Sequence, residues 1–230
     1  MRAAALLASV PNASQPAADR EPFEHAAAEF VAAQRFNADR PEARTTLGNF
    51  YVRRGRAGDA EPEYQVALRL NPQFAPAAVN LAELYRQLGR DGEGESVLRT
   101  AVAAAPRDAG LHYALGLALI RLKRPDEALA ALRRATELEP ERARYAYVYA
   151  VALHSAGQAD DAIAVLKVAL TRHPDDRDVL LALVSYSRDA GDFGTALEYA
   201  ERMARLTPGD PSLAALIETL RQQAREGGSR

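Results

Sequence analysis

Apolar side chains recur along this chain in paired stretches with helical spacing. In residues 41–70, Leu47, Tyr51, Tyr64 and Leu68 fall on faces that need burial, with polar residues between them. The pattern predicts a helix from Pro41 to Arg54, a turn at Gly55, and a second helix from Asp59 to Leu70. Gly48, Ala60 and Ala67 are small enough for the two backbones to approach closely.

The arrangement returns with a fixed period. Pro72, Pro106, Pro140, Pro174 and Pro208 are each 34 residues apart. Leu47, Leu81, Leu115 and Leu183 keep that register, with Tyr149 in the remaining place. Ala67, Ala101, Ala135 and Ala169 form a second series that ends in Met203. Ala60, Ala128, Ala162 and Ala196 form a third, with Gly94 in the open place. Gly55, Gly89, Gly157 and Gly191 mark a recurring turn, and Lys123 is the exception. A period of this length is the signature of a two-helix repeat whose apolar faces are buried by stacking on neighbours.

Five full units follow, at 41–74, 75–108, 109–142, 143–176 and 177–210. Residues 22–40 match a second helix only, with Ala26, Phe30 and Ala33 one period ahead of Ala60, Tyr64 and Ala67. Residues 211–226 read as a capping helix, with Leu213, Leu216 and Ile217 inward and Glu218, Arg221 and Arg225 outward. Residues 1–21 are expected to be a tail or the remnant of a preceding helical segment, and 227–230 a frayed end. Pro41, Pro62, Pro76, Pro125 and Pro211 are placed in first turns, where a missing N–H does no harm. In the fifth unit Ala200 replaces a large residue and Met203 a small one, an exchange that conserves volume.

Leu47-Gly48, Tyr51, Gly55, Ala60, Tyr64, Ala67 and Pro72 together resemble the tetratricopeptide repeat family, and the likeness runs through residues 41–208. It implies an all-α, right-handed α-solenoid of antiparallel helix pairs, with first helices lining a concave side that binds proteins or peptides. A weaker likeness links Arg35-Phe36-Asn37-Ala38-Asp39-Arg40-Pro41 and residues 144–158 to the C-terminal repeat region of large bacterial proteins with haem-binding and HEAT-like segments. Residues 2–11 would then be the last helix of such a segment; the haem machinery itself has no counterpart here.

On this geometry the concave stripe offers Asn49, Arg53, Asn80, Glu83, Arg86 and Gln87, then Tyr113, Leu117, Ile120 and Arg121. It continues through Tyr147, Val151 and His154 to Leu181, Ser185 and Arg188. Polar amides and arginines around an apolar centre with tyrosines make a contact-site signature. The competing reading is that Leu117, Ile120 and Val151 only pack neighbouring first helices. Some family members clamp the acidic C-termini of heat-shock chaperones. Asn49 and Asn80 match the clamp asparagines, but Thr45, Gly110 and Ala114 stand where basic residues belong, so no chaperone clamp is predicted.

Composition narrows the remaining classes. Acids and bases are interspersed and nearly balanced, with net charge −2, so no basic stripe suits nucleic acid. The absence of cysteine excludes disulfides, thiolate metal sites and thiol nucleophiles. The four histidines lack metal-site spacing, and no cofactor is expected. Gly89 to Gly94 joins two helices and lacks the Lys-Ser/Thr ending of a phosphate loop. Asp160-Asp161 and Asp175-Asp176 are expected to cap helices, without a catalytic role. No apolar run reaches the ~18 residues of a spanning helix. Ala3 to Val10 superficially resembles an export signal, but it is minimal and Pro11 ends it, which leaves cytoplasm and periplasm both open.

The expected function is a non-catalytic scaffold that grips a peptide or partner helix in its groove. The alternative is a structural module of a larger, exported bacterial protein that docks, or self-associates, through its N-terminal half-unit.

Overall fold

Proline can open a helix because first-turn N–H groups have no intrahelical acceptor. The computed structural model, which describes residues 20–227, has Pro41, Pro76, Pro125 and Pro211 as the first or second residue of their helices. The first six helices are α1 (Arg20–Phe36), α2 (Pro41–Arg53), α3 (Ala57–Leu70), α4 (Ala75–Gln87), α5 (Asp91–Ala104) and α6 (Ala109–Arg121). They are followed by α7 (Pro125–Leu138), α8 (Ala143–Ser155), α9 (Ala159–Arg172), α10 (Arg177–Asp189), α11 (Phe193–Leu206) and α12 (Pro211–Gly227). No strand occurs among the described residues, and the fold is an all-α repeat. Residues 1–19 of the expected N-terminal tail, with Ala3 to Val10, and the last three residues lie outside the described residues.

The helices divide between a unit ending at Leu122 and one beginning at Lys123. In the first unit α2 pairs with α3 and α4 with α5, while α1 packs on α2. Leu47, Tyr64 and Leu81 are almost wholly buried in its core, together with Phe50 and Tyr85. Phe30 of α1 meets Phe50 with ring centroids 5.2 Å apart, which joins the half-unit to the first pair. Gly48 has a direct steric reason: a Cβ there would lie 2.5 Å from Cε1 of Tyr64. The missing side chain is what lets the Tyr64 ring lie against α2.

In the second unit α8 pairs with α9, α10 with α11, and α12 closes on α11. The small residues Ala162, Ala169 and Ala196 are buried beside Leu166, Leu180 and Leu183. Ala200 and Met203 share this core, and Leu213, Ile217 and Leu220 of α12 complete it. Tyr149 fits less well than the leucines whose register it shares. It stays half-buried beside a cavity of about 350 Å³ bordered by Ala146, Val165 and Ala169.

Turn chemistry follows the glycine series. Gly55, Gly89, Gly157 and Gly191 have φ between 69° and 80°, the left-handed region that disfavours a Cβ. Lys123 adopts φ 58° in the same register and is the only described non-glycine residue there.

Several local expectations need correction. The second helix of the first pair begins at Ala57, earlier than Asp59, so Pro62 is its sixth residue and lies beyond the first turn. α3 continues through it with Gly58 at the i−4 position, where the ring presses and a glycine backbone yields most readily. Pro62 and Gly58 are both exposed, so water can serve the released carbonyl. Asp176 caps α10 by accepting from the Val179 N–H at 2.9 Å, as Asp108 does from Leu111 for α6. Asp160 and Asp161 do not cap. The N-cap of α9 is Gln158, without a side-chain bond, and the two aspartates act only on the helix dipole. α1 begins two residues before Pro22, and Gly227 still belongs to α12.

Three substitutions test this packing. Gly48→Ala should lower the unfolding free energy by about 2 kcal/mol in a denaturant melt, because overpacking against Tyr64 outweighs alanine's better helix propensity. Gly157→Ala should destabilise by roughly 1 kcal/mol through left-handed strain. Gly92→Ala, helical and with nothing within 4 Å of its Cβ position, should stabilise by about 0.5 kcal/mol.

Candidate functional site

The candidate residues lie on the first helix of each pair. In the first unit they lie on α2, α4 and α6. Asn49 is half-buried, and its Oδ1 accepts from Tyr64 Oη at 2.7 Å and from Asn80 Nδ2 at 2.8 Å. One amide oxygen thus ties α2 to α3 and α4, leaving the Asn49 amide NH₂ and the Asn80 carbonyl for other partners. Burial pushes the Tyr64 phenol up to about 12, so it stays a neutral donor at ordinary pH. Arg53, exposed at the end of α2, acts on the same phenol in the opposite direction.

Glu83, Arg86 and Gln87 form one cluster along α4. Arg86 Nε donates to Glu83 at 2.7 Å and Gln87 Nε2 at 3.1 Å. The Arg86 guanidinium holds the Glu83 carboxyl below its ordinary value, and Arg121 adds to the effect from α6. Arg121 itself bonds Asp91 at the start of α5 at 2.8 Å and the Leu117 carbonyl at 3.2 Å. Tyr113 and Leu117 are half-buried on α6. Thr45, where a chaperone clamp would need a cation, is buried.

In the second unit the candidates lie on α8 and α10. His154 stacks flat on Tyr186, with ring centroids 3.9 Å apart and planes within 7°. Tyr147 and Val151 are half-buried on α8, and Tyr147 is close enough to act on the Tyr186 phenol. The Tyr186 phenol is pushed up, first by burial and then by Tyr147 and Asp189. Leu181 on α10 is 50% exposed. Arg188 is exposed and spends its charge on its neighbour Asp189, at 3.2 Å.

Tyr186 was not among the residues expected in the stripe. Its register gave no consistent signal, since the same place holds Phe50, Leu84, Ala118 and Ala152 in the earlier units. From α10 its ring covers the histidine of the preceding first helix, α8.

The other histidines show no common chemistry. His25 faces Glu29 at 3.6 Å, and His112 Nε2 lies 3.0 Å from the Pro106 carbonyl. Among the described residues no group of three or more His, Cys, Asp or Glu could hold a metal ion, and no helix is long and apolar enough to cross a membrane.

Comparison with known proteins bears on the fold. The family model described as "Cytochrome c-type biogenesis protein H TPR domain" matches residues 95–213, and one described as "Tetratricopeptide repeat" matches 51–118. No curated protein matches the chain. The solved structure of PilW, a "widely conserved type IV pilus biogenesis factor", is 21% identical with a TM-score of 0.66, covering 86% of this chain and 92% of that one. PilF of Pseudomonas aeruginosa is 19% identical with a TM-score of 0.62, covering 89% of this chain and 91% of that one. YrrB, "a TPR protein with an unusual peptide-binding site", is 22% identical with a TM-score of 0.61, covering 83% of this chain and 97% of that one. At these identities the solved structures speak for the fold alone. With the 34-residue register, the helix pairs and a family model spanning more than half of its length, this chain belongs to the tetratricopeptide repeat family.

Proposed function

We propose that the chain is a non-catalytic interaction scaffold that holds a peptide or a partner helix against the exposed faces of its first helices. The observation that carries this reading is the aromatic set of the second unit. His154 and Tyr186 are stacked between two successive first helices, with Tyr147 nearby and Leu181 half-exposed on the same element as Tyr186. Rings fixed by stacking lose little freedom when a partner arrives, and tyrosine is favoured among residues that dominate binding energy.

The first unit supports the same reading with different chemistry. The Asn49–Asn80 pair keeps a donor and an acceptor available, which suits the backbone of an extended peptide. Glu83, Arg86 and Gln87 supply a polar margin, and their mutual bonds keep those long side chains ordered. The peptide-binding site named for YrrB belongs to that protein, and it motivates a peptide as the first ligand to seek here.

Peptides selected from a random display library on the full chain provide the test. Tyr147→Ala combined with His154→Ala should weaken the selected peptides at least tenfold, about 1.4 kcal/mol, with far-ultraviolet circular dichroism unchanged. Tyr113→Ala reports separately on the first unit. Undiminished affinity in both variants would remove the first-helix faces as the binding surface.

A further inference from the structure

The contact between α3 and α4 contains a carboxylate network whose counterpart one repeat earlier lacks its carboxylate. Glu61 of α3 accepts from Tyr85 Oη at 2.8 Å and from Arg90 Nη1 at 2.8 Å. Arg90 also bonds Glu93 and lies over the Tyr85 ring, 4.4 Å from its centroid. One carboxylate therefore organises a tyrosine hydroxyl and a guanidinium from the neighbouring repeat.

Thirty-four residues earlier the same parts recur with one omission. Tyr51 stands for Tyr85, Arg56 for Arg90 and Asp59 for Glu93. Arg56 bonds Asp59 at 2.8 Å and lies over the Tyr51 ring at 4.9 Å, so the arginine geometry is preserved. The counterpart of Glu61 is Ala27. A cavity of about 280 Å³ opens there between α1 and α2, lined by Ala27 and Tyr51, by Arg35, Arg54 and Arg56, and by a single acid, Glu24.

Arg54 supplies an independent observation. Its side chain is 6% exposed, and Nη2 bonds Glu24 at 2.5 Å. The guanidinium lies 4.8 Å from the Phe23 ring centroid and 5.8 Å from that of Phe50. Its buried Nη1 has no hydrogen-bond partner among the described residues. A buried cationic donor left unmatched is costly, and such a group in a native fold calls for an acceptor. Three arginines against one glutamate leave the lining net positive, and its other walls are apolar.

We infer that this cavity is a carboxylate-binding site that takes the glutamate side chain of a partner protein into the place that Glu61 fills in the next repeat. The glutamate stem matches the apolar wall at Ala27, and its carboxylate meets Arg54 and Arg56 beside Tyr51. None of the residues proposed for the first-helix binding face lines this cavity, so the inference stands apart from that reading.

The test uses the full chain and N-acetyl-glutamate N-methylamide as probe, followed by NMR of backbone and arginine side-chain signals. The probe should shift Ala27, Tyr51, Arg54 and Arg56, while the glutamine analogue and inorganic phosphate should bind at least tenfold more weakly. Ala27→Glu should restore the missing carboxylate from within, abolish the probe's shifts and leave the melting temperature unchanged or raised. Arg35→Ala, an exposed change that keeps the fold, should weaken the probe severalfold. Absence of binding, equal binding of the glutamine analogue or phosphate, or unaltered binding to Ala27→Glu would each overturn the site. Sedimentation during the same titration separates a second copy as occupant. A dimer dissociated by the probe would put this chain's own carboxylate in the cavity and overturn the assignment to a partner protein.

Discussion

A helix with apolar side chains on more than one face stays folded only if neighbours cover each of them, and two helices alone cannot do so. Every regular feature of this chain serves that constraint. Close approach of the helices is secured by Ala60, Ala128, Ala162 and Ala196, all essentially inaccessible, with buried Gly94 in the same register. Large residues then fill the space beside them, Tyr64 in the first unit and Leu132 and Leu166 in the second. At Gly48 the requirement is sharpest, because even a methyl group would meet the Tyr64 ring.

Once packing is carried by buried register positions, the faces turned outward are released for other work. The first unit spends its face on amides and an intrahelical charge cluster, and the second on stacked rings. This division explains how repeats with nearly identical cores can present different chemistry. It also explains why the Glu61 network can be present at one repeat contact and incomplete at the preceding one without loss of the fold. A partly exposed ion pair contributes at most about 1 kcal/mol, so the core tolerates alanine at position 27.

The repeat was legible in the sequence because its period is written in residues that are seldom replaced: prolines in links, glycines at positive φ with Lys123 as the exception, and small residues at helix crossings. Helix existence and order followed directly from that register. Boundaries were less legible, as Pro62 shows, because a proline on an exposed face with glycine at i−4 can sit inside a helix. Capping by Asp160 and Asp161 was misread for a related reason: acidic residues in a first turn serve the dipole as readily as the cap. The candidate residues could be placed on helices but not paired. That Asn49 would bond Asn80 and Tyr64, that Arg121 would bond Asp91, and that His154 would stack on Tyr186 depends on distances between helices. Periodicity alone does not contain those distances.

The central claim is that partners are held on the first helices, and hydrogen exchange of the full chain with and without a selected peptide tests it most directly. The account predicts that protection rises in α8 and α10, around Tyr147, His154 and Tyr186, with little change in the second helices α9 and α11. Protection confined to α9 and α11, or to the α1–α2 contact, would contradict it.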